Sequence, residues 1–521
     1  MLSMKIENLR CFIDSDFMNI SPITLLLGAN SSGKSSFLRV FPLLKQSVEA
    51  KTDGPFLWYG PYVDYGSLKE VISRFSKVNS VGVSFTISHK DLISNYTNYN
   101  SYRSYYKFHM ANDVPVKVNI GVVDEGKSAA TYVCRINIYQ DVVTIKYDKN
   151  SNLLSYDVNG SEYVIEDNKY IILGISRLIP NIYVNRRALK GYSRVIVNSM
   201  AANGAFVDFL ADSVRNIVHG NTYEYTVYRD IIPQLIMLPP NEFLTYLKKI
   251  KAGKYWYRKV RDMNISDHDF ISLRNAFIAD YISELLPNMD SMISDMARYV
   301  SYMGPLRATA ERYYRIQDLS VEEVDFQGKN LPLILKGMTD KEKSDFTEWT
   351  MEHFGFELAT KLSGGHLSMR IRDKDSEEWD NVADMGFGLS QILPIIVQTW
   401  LLTKKRRLRF QRNILRILAI EQPELHLHPE MQAKLAEMIA KAVIIARERG
   451  IELKVLLETH SKIMLNKVGH LVYMGVLKKE DVNIVLFENE HKGKGAKVWE
   501  VGFNGSGELE QWPYGFMEPR R

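Results

Sequence analysis

The chain has 521 residues, 45% of them hydrophobic and 24% charged, with a formal net charge of +5. That length leaves room for about two to four domains, the composition is that of a globular protein, and the mild charge permits a nucleic-acid partner without requiring one. Cys11 and Cys134 are too few for a cysteine metal framework or a disulfide scaffold and fit a reducing, cytoplasmic compartment. The opening residues alternate like a strand, and no apolar run approaches about 18 residues, so neither a secretory leader nor a membrane span is expected.

Residues 28–35 read Gly-Ala-Asn-Ser-Ser-Gly-Lys-Ser, a full match to the phosphate-loop pattern. The apolar run Ile23–Leu27 before it predicts a buried strand. Phe37, Leu38, Phe41 and Leu44 after it fall at helical spacing, which is the strand–loop–helix context the pattern needs. Gly28 and Gly33 let the backbone curl so that the N–H groups of the loop, through Asn30, Ser31, Ser32 and Ser36, surround phosphate oxygens. Lys34 adds a charge near the β- and γ-phosphates, and Ser35 offers a hydroxyl to magnesium.

From about 80 to 180 the pattern is short strands: Ser80–Ile87, Val116–Val123, Thr131–Tyr139 and Val142–Tyr147 alternate with period two. The polar, aromatic stretch Asn95–Tyr106 reads as a long hairpin loop. From about 197 to 300 the period becomes helical, as in Phe270–Leu286. No sustained heptad, internal repeat or low-complexity tract is present.

Two further strands end in chemistry. Arg416–Ile420 is followed by Glu421-Gln-Pro-Glu424, and Leu453–Leu457 by Glu458-Thr-His460-Ser461. An acid closing a parallel strand beside a phosphate loop holds magnesium, and His460 could reach the γ-phosphate. Between them, Asp384-Met-Gly-Phe-Gly-Leu-Ser-Gln-Ile-Leu-Pro394 leads into an apolar helix ending near Leu402. Gly386 and Gly388 allow close backbone approach, and Ser390 is suited to cap the helix. These segments together resemble the ATP-binding-cassette class of ATPases, with Gly386–Gln391 as the signature. Leu362-Ser-Gly-Gly-His366 looks closer to the transporter form of that signature. It precedes an alternating strand pattern, Leu367–Arg372, and is expected to be a hairpin turn.

The wording of the motifs is narrower still. Lys5-Ile-Glu-Asn-Leu-Arg-Cys-Phe12, the phosphate loop, Glu421-Gln-Pro-Glu-Leu-His-Leu-His-Pro429 and Glu458-Thr-His-Ser461, with Tyr302–Arg307 and Trp512–Phe516, resemble the overcoming-lysogenisation-defect (OLD) family, in a stand-alone ATPase branch like the ATPase subunits of Septu- and PARIS-type antiphage systems. The resemblance covers roughly 1–75 and 300–521. It implies an α/β fold with an ABC-type P-loop core, a mixed sheet with flanking helices. Residues 1–80 would form the N-terminal lobe, 81–180 a β-rich insertion, 181–300 a helical insertion and 301–521 the C-terminal lobe.

It also implies roles. ATP would be bound by Gly28, Asn30, Ser31, Ser32, Gly33, Lys34, Ser35 and Ser36, with Mg2+ on Ser35 and Glu421. Gly386, Gly388, Ser390 and Gln391 would act in trans, making the chain a homodimer or higher homo-oligomer. His460 would sense the γ-phosphate. The family has a second acid after the strand; here it is Gln422, which can orient water but not accept its proton, so slow turnover is expected, with Glu424 an alternative base. A nuclease or toxin effector would be a separate polypeptide, because no Toprim pattern follows His460. The alternatives are a DNA-repair ATPase acting on DNA ends and a non-hydrolysing scaffold. His426 and His428 are expected in a loop facing a neighbouring protomer rather than on a metal. Lys248, Lys249, Lys251, Lys254, Arg258 and Lys259, interleaved with Tyr255, Trp256 and Tyr257, could meet nucleic acid or an acidic partner or form a solvated helix face. Lys404–Arg409 reads as a solvated loop.

Overall fold

The computed structural model describes residues 2–93, 113–126, 130–163, 170–173, 178–184, 206–315, 321–404, 415–489 and 495–511. The hairpin loop at 95–106, the basic residues 405–409 and the Trp512–Phe516 segment lie outside them. Two compact units form, one from residues 1–5, 47–57 and 77–294, the other from 6–46, 58–76 and 295–521. The two middle segments, read separately in the sequence as β-rich and helical, therefore pack as one body.

In the first unit the strands Ser80–Ser88, Pro115–Asp124, Ala130–Ile138, Asp141–Tyr147, Leu153–Val158 and Ser161–Tyr163 follow one another as an antiparallel meander. Period-two alternation with one buried face is seen in the side-chain pattern of Asp141–Tyr147, whereas Ser80–Ser88 is buried at five consecutive positions. The helix His268–Arg298 runs longer than its periodicity announced and carries Pro287 inside it. Polar groups tie this helix to the meander. Arg274 meets Asp141 at 2.5 Å with both side chains buried, Tyr156 donates to the Ala279 carbonyl, and His89 Nε2 lies 2.7 Å from the Tyr281 hydroxyl. Burial holds the His89 imidazole neutral, down at about 4.

The second unit is built on a six-stranded sheet. Its order is Val300–Met303, Leu415–Glu421, Glu452–Glu458, Ile23–Gly28, Val482–Asn489, Ala496–Val501. All neighbours are parallel except the last pair. The apolar runs read as buried strands for the reason parallel strands generally do: helices cover both faces. Ile23–Gly28 is buried at all six positions. The helices Phe387–Leu402, Pro429–Glu448 and Lys462–Tyr473 contribute Ile392, Leu435 and Leu465 to the same core as Leu25, Leu418 and Val455. A smaller antiparallel sheet joins Phe356–Ser363 to His366–Asp373. Gly364 and Gly365 turn that hairpin at φ 55° and 79°, so the Leu362–His366 segment is a turn, as its flanking alternation required. Among the described residues no helix is long and apolar enough to cross a membrane.

Candidate active site

The strand Ile23–Gly28 delivers the chain to the loop, and the helix Lys34–Leu38 takes it away. Gly28 and Gly33 have φ of 155° and 108°. A Cβ on Gly28 would stand 2.3 Å from the Phe487 carbonyl oxygen, and one on Gly33 would stand 2.7 Å from Cys11 Sγ and Phe12 Cζ. Both positions therefore exclude a side chain on steric as well as conformational grounds. Ser31 adopts the left-handed region, and its carbonyl accepts from Asn489 Nδ2.

Lys34 is buried and donates to the Gly28 and Ala29 carbonyls at 2.9 and 2.8 Å. Burial lowers its pKa, while Glu458 and Glu424 oppose the shift. The loop borders a cavity of 490 Å³ lined by residues 30–36 together with Arg10, Cys11, Gln422, Glu458 and His460. The volume suits a small-molecule ligand. The cavity lies at the carboxyl ends of the parallel strands, next to a helix N-terminus, where a phosphate chain is favoured.

Four acids or amides at the strand ends have different surroundings. Glu421 is buried. Arg39 Nε and Nη2 fork its two oxygens at 2.7 Å each, and Tyr302 donates to Oε1 at 2.7 Å. Arg39 stands one helical turn beyond Ser35, and the Glu421 pair raises its pKa. Gln422 sits at φ 43°, an unusual conformation for a non-glycine residue. Its N–H donates to the Glu458 carbonyl, and the residue lines the cavity. Glu424 is not among the residues that line the cavity. It accepts from Thr459 Oγ1 at 2.9 Å and from the His460 N–H at 2.7 Å, and burial raises its pKa. Glu458 receives the Ser35 hydroxyl at 2.8 Å. His460 faces the cavity; burial and then Lys34 lower its pKa, which favours the neutral ring.

The signature segment is arranged differently from its sequence reading. The helix Phe387–Leu402 starts after Gly386, which occupies the N-cap position. Ser390 lies inside the first turn and is buried, as is Gln391. Gln391 grips the Arg307 backbone, accepting from its N–H at 3.2 Å and donating to its carbonyl at 3.0 Å. Gly388 packs so closely that a Cβ would meet the His426 carbonyl oxygen at 2.5 Å. In this conformation Gly386 and Phe387 are the exposed part of the segment; the Gln391 amide expected to act in trans is held by the Arg307 backbone of its own chain. His428 caps the helix Pro429–Glu448, the His426 ring stands edge-on to Phe387, and no cluster of three metal-binding side chains exists among the described residues.

Arg39, Tyr302, Arg307 and Glu458 were not assigned roles from the sequence. Arg39 carried one signal, its spacing of four from Ser35 on a helix. Glu458 carried another, an acid closing a strand as Glu421 does. Arg307 is buried, donates from Nη2 to the Glu421 carbonyl at 2.8 Å, and has its pKa lowered to about 10 by burial.

The AAA ATPase domain family matches residues 278–465. That span holds the signature segment and the ends of the strands at Glu421 and Glu458, and leaves the phosphate loop outside. That span is similar to an AAA ATPase domain. No curated protein matches it in sequence. Solved structures similar to it include an Smc head bound to the C-winged helix domain of ScpA, at 9% identity and TM-score 0.32 over 96% of this chain and 97% of that one. An Smc head with an extended coiled coil bound to the C-terminal domain of ScpA derived from Pyrococcus furiosus aligns with the same values. The SMC head domain from Thermotoga maritima aligns at 8% identity and TM-score 0.34, over 95% and 97%.

Glu424 accepts from the His460 backbone N–H and does not line the cavity. Glu424→Ala is therefore expected to lower kcat about tenfold by loosening His460, with the Kd for ATP changed by less than about twofold. Steady-state phosphate release and fluorescent-nucleotide titration read the two quantities. Loss of all turnover in Glu424→Gln as well would instead mark it as the base.

Proposed function

We propose that this chain binds Mg-ATP in the cavity at the end of Ile23–Gly28, hydrolyses it slowly, and works as an oligomeric regulatory ATPase of an antiphage system controlling a separate effector. The observation that carries the ATPase part is one cavity bordered by the phosphate loop, Gln422 and His460. In the proposed cycle, loop N–H groups and Lys34 hold the phosphates. Lys34 exchanges its two carbonyl partners for phosphate oxygens. Gln422 orients a water, the neutral His460 ring meets the γ-phosphate, and the absence of an acid directly after Glu421 keeps proton removal slow. Magnesium, when bound, neutralises charge developing on the β- and γ-phosphates. The Ser35 hydroxyl and a buried carboxyl beside it fit such a hard cation. The defence role rests on the resemblance of the motifs to the OLD-like branch, and the exposed Gly386–Phe387 edge is the part of the signature available to a second copy.

Lys34→Ala is expected to abolish ATP binding and any protection against phage. Gly386→Arg, at a position with open space around it, is expected to bind ATP within about twofold of wild type but to hydrolyse it at least about tenfold more slowly. Mixing the two inactive chains should restore part of the turnover if the edge acts across an interface. No restoration after verified subunit exchange would place the whole site within one chain, and measurable but ATPase-independent assembly would favour the non-hydrolysing scaffold.

A second reading, in which nucleic acid is the partner, draws on the helix Gly253–Arg261. Trp256 is its core anchor, with Nε1 donating to the Leu247 carbonyl at 3.1 Å. Tyr255 and Tyr257 are 42% and 58% exposed, beside the exposed Lys248, Lys249, Lys251, Lys254, Arg258 and Lys259. Lys259 faces Asp269 at 3.7 Å. Exposed rings among cations suit base stacking with phosphate contact. Tyr255→Ala with Tyr257→Ala should weaken binding of a single-stranded oligonucleotide by about tenfold or more, read by fluorescence anisotropy. Unchanged anisotropy curves would return the helix to a solvated face.

A further inference from the structure

We propose that Glu458, rather than Glu421, is the carboxylate that joins Ser35 in holding the divalent cation of the bound nucleotide. This rests on the ATP site proposed above and names a residue that no motif assigns. Four observations carry it. The first is topological. The strand ending at Glu458 lies between the strand of the phosphate loop and the strand ending at Glu421, in register, with Glu458 opposite both Leu26 and Glu421. Glu421 is therefore one strand farther from the loop, a step of about 4.8 Å.

The second is contact. Ser35 Oγ already donates to Glu458 Oε1 at 2.8 Å, and Glu458 lines the cavity whereas Glu421 does not. The third is what Glu421 is doing. Both of its oxygens are forked by Arg39 and one also takes the Tyr302 hydroxyl. Turning it toward Ser35 would break a buried, charge-assisted, bidentate pair, the costliest kind of hydrogen bond to abandon. The fourth is an unmet need. Glu458 Oε2 is buried and has no hydrogen-bond partner among the described residues. A buried carboxylate oxygen left in that state is destabilising, and a cation beside Ser35 satisfies it.

The environment agrees. Burial first, then the Glu421 charge, push the Glu458 carboxyl up to about 7. Glu421, on this account, is a buried counter-charge that fixes Arg39 and Tyr302 behind the site.

The test measures affinity for a methylanthraniloyl-labelled ATP in magnesium chloride and in EDTA, for the full chain. The ratio of the two affinities is the magnesium gain. Mn2+ binding in the presence of nucleotide, read by electron paramagnetic resonance, is the second readout. In Glu458→Gln, which keeps the shape and an acceptor for Ser35, the gain should fall by about tenfold or more and the nucleotide-dependent Mn2+ signal should be lost, with binding in EDTA unchanged. Glu421→Gln should retain the gain. A full gain in Glu458→Gln, or equal loss in both variants, overturns the assignment. If Glu458→Gln also loses binding in EDTA, Glu458→Asp decides by the same ratio: a gain kept by the shorter carboxylate supports the proposal, and a gain lost while EDTA binding persists overturns it. Failure of the wild-type chain to bind the labelled ATP under either condition would refute the ATP site itself, not the choice of ligand.

Discussion

The register of three parallel strands sets where every candidate side chain stands. Ile23–Gly28, Glu452–Glu458 and Leu415–Glu421 run the same way and pair so that Leu26, Glu458 and Glu421 lie in line. Backbone hydrogen bonding alone therefore brings a loop near residue 30 within reach of residues more than 380 positions later in the sequence. A slip of one residue in either pairing would turn each acid to the opposite face. The apolar cover that prevents it comes from the helices Phe387–Leu402, Pro429–Glu448 and Lys462–Tyr473.

Given that frame, the charges sort themselves by what each can pair with in a dry environment. Arg39 and Tyr302 neutralise Glu421. The Thr459 hydroxyl and the His460 N–H satisfy Glu424. Lys34 satisfies itself on loop carbonyls, an arrangement it can trade for phosphate oxygens without leaving a donor unmet. Glu458 alone of these acids keeps a buried oxygen with no partner among the described residues and faces the cavity. The strand ends thus divide the work: one acid stabilises the framework, one holds the loop that carries the histidine, and one stands where a cation would arrive.

Much of this was legible in the sequence where a local pattern fixes a local structure. The phosphate loop was readable because Gly28 and Gly33 are required by the backbone itself. The meander was readable because one buried face imposes alternation, as in Asp141–Tyr147, and the Leu362–His366 turn because the segment after it, Leu367–Arg372, alternates. What could not be read depends on which elements become neighbours. Glu421 and Glu458 look equivalent as strand-closing acids; only the strand order separates them. Ser390 and Gln391 follow a glycine-rich segment that looks like an exposed loop, yet Gln391 is drawn inside by the Arg307 backbone. The joining of 77–294 into one unit is likewise set by pairs such as Arg274 with Asp141, whose separation in sequence hides them.

On the function proposed above, ATP turnover would be slow because Gln422 stands where an acid would take the proton of the attacking water. Gln422→Glu is nearly isosteric, keeps the backbone bond from residue 422 to the Glu458 carbonyl, and adds only a proton acceptor. Steady-state phosphate release at saturating ATP measures the consequence directly. The account predicts that kcat rises by at least about tenfold, toward the roughly 10²–10⁴-fold that general-base assistance contributes, with ATP affinity nearly unchanged. An unchanged kcat at unchanged affinity would contradict it.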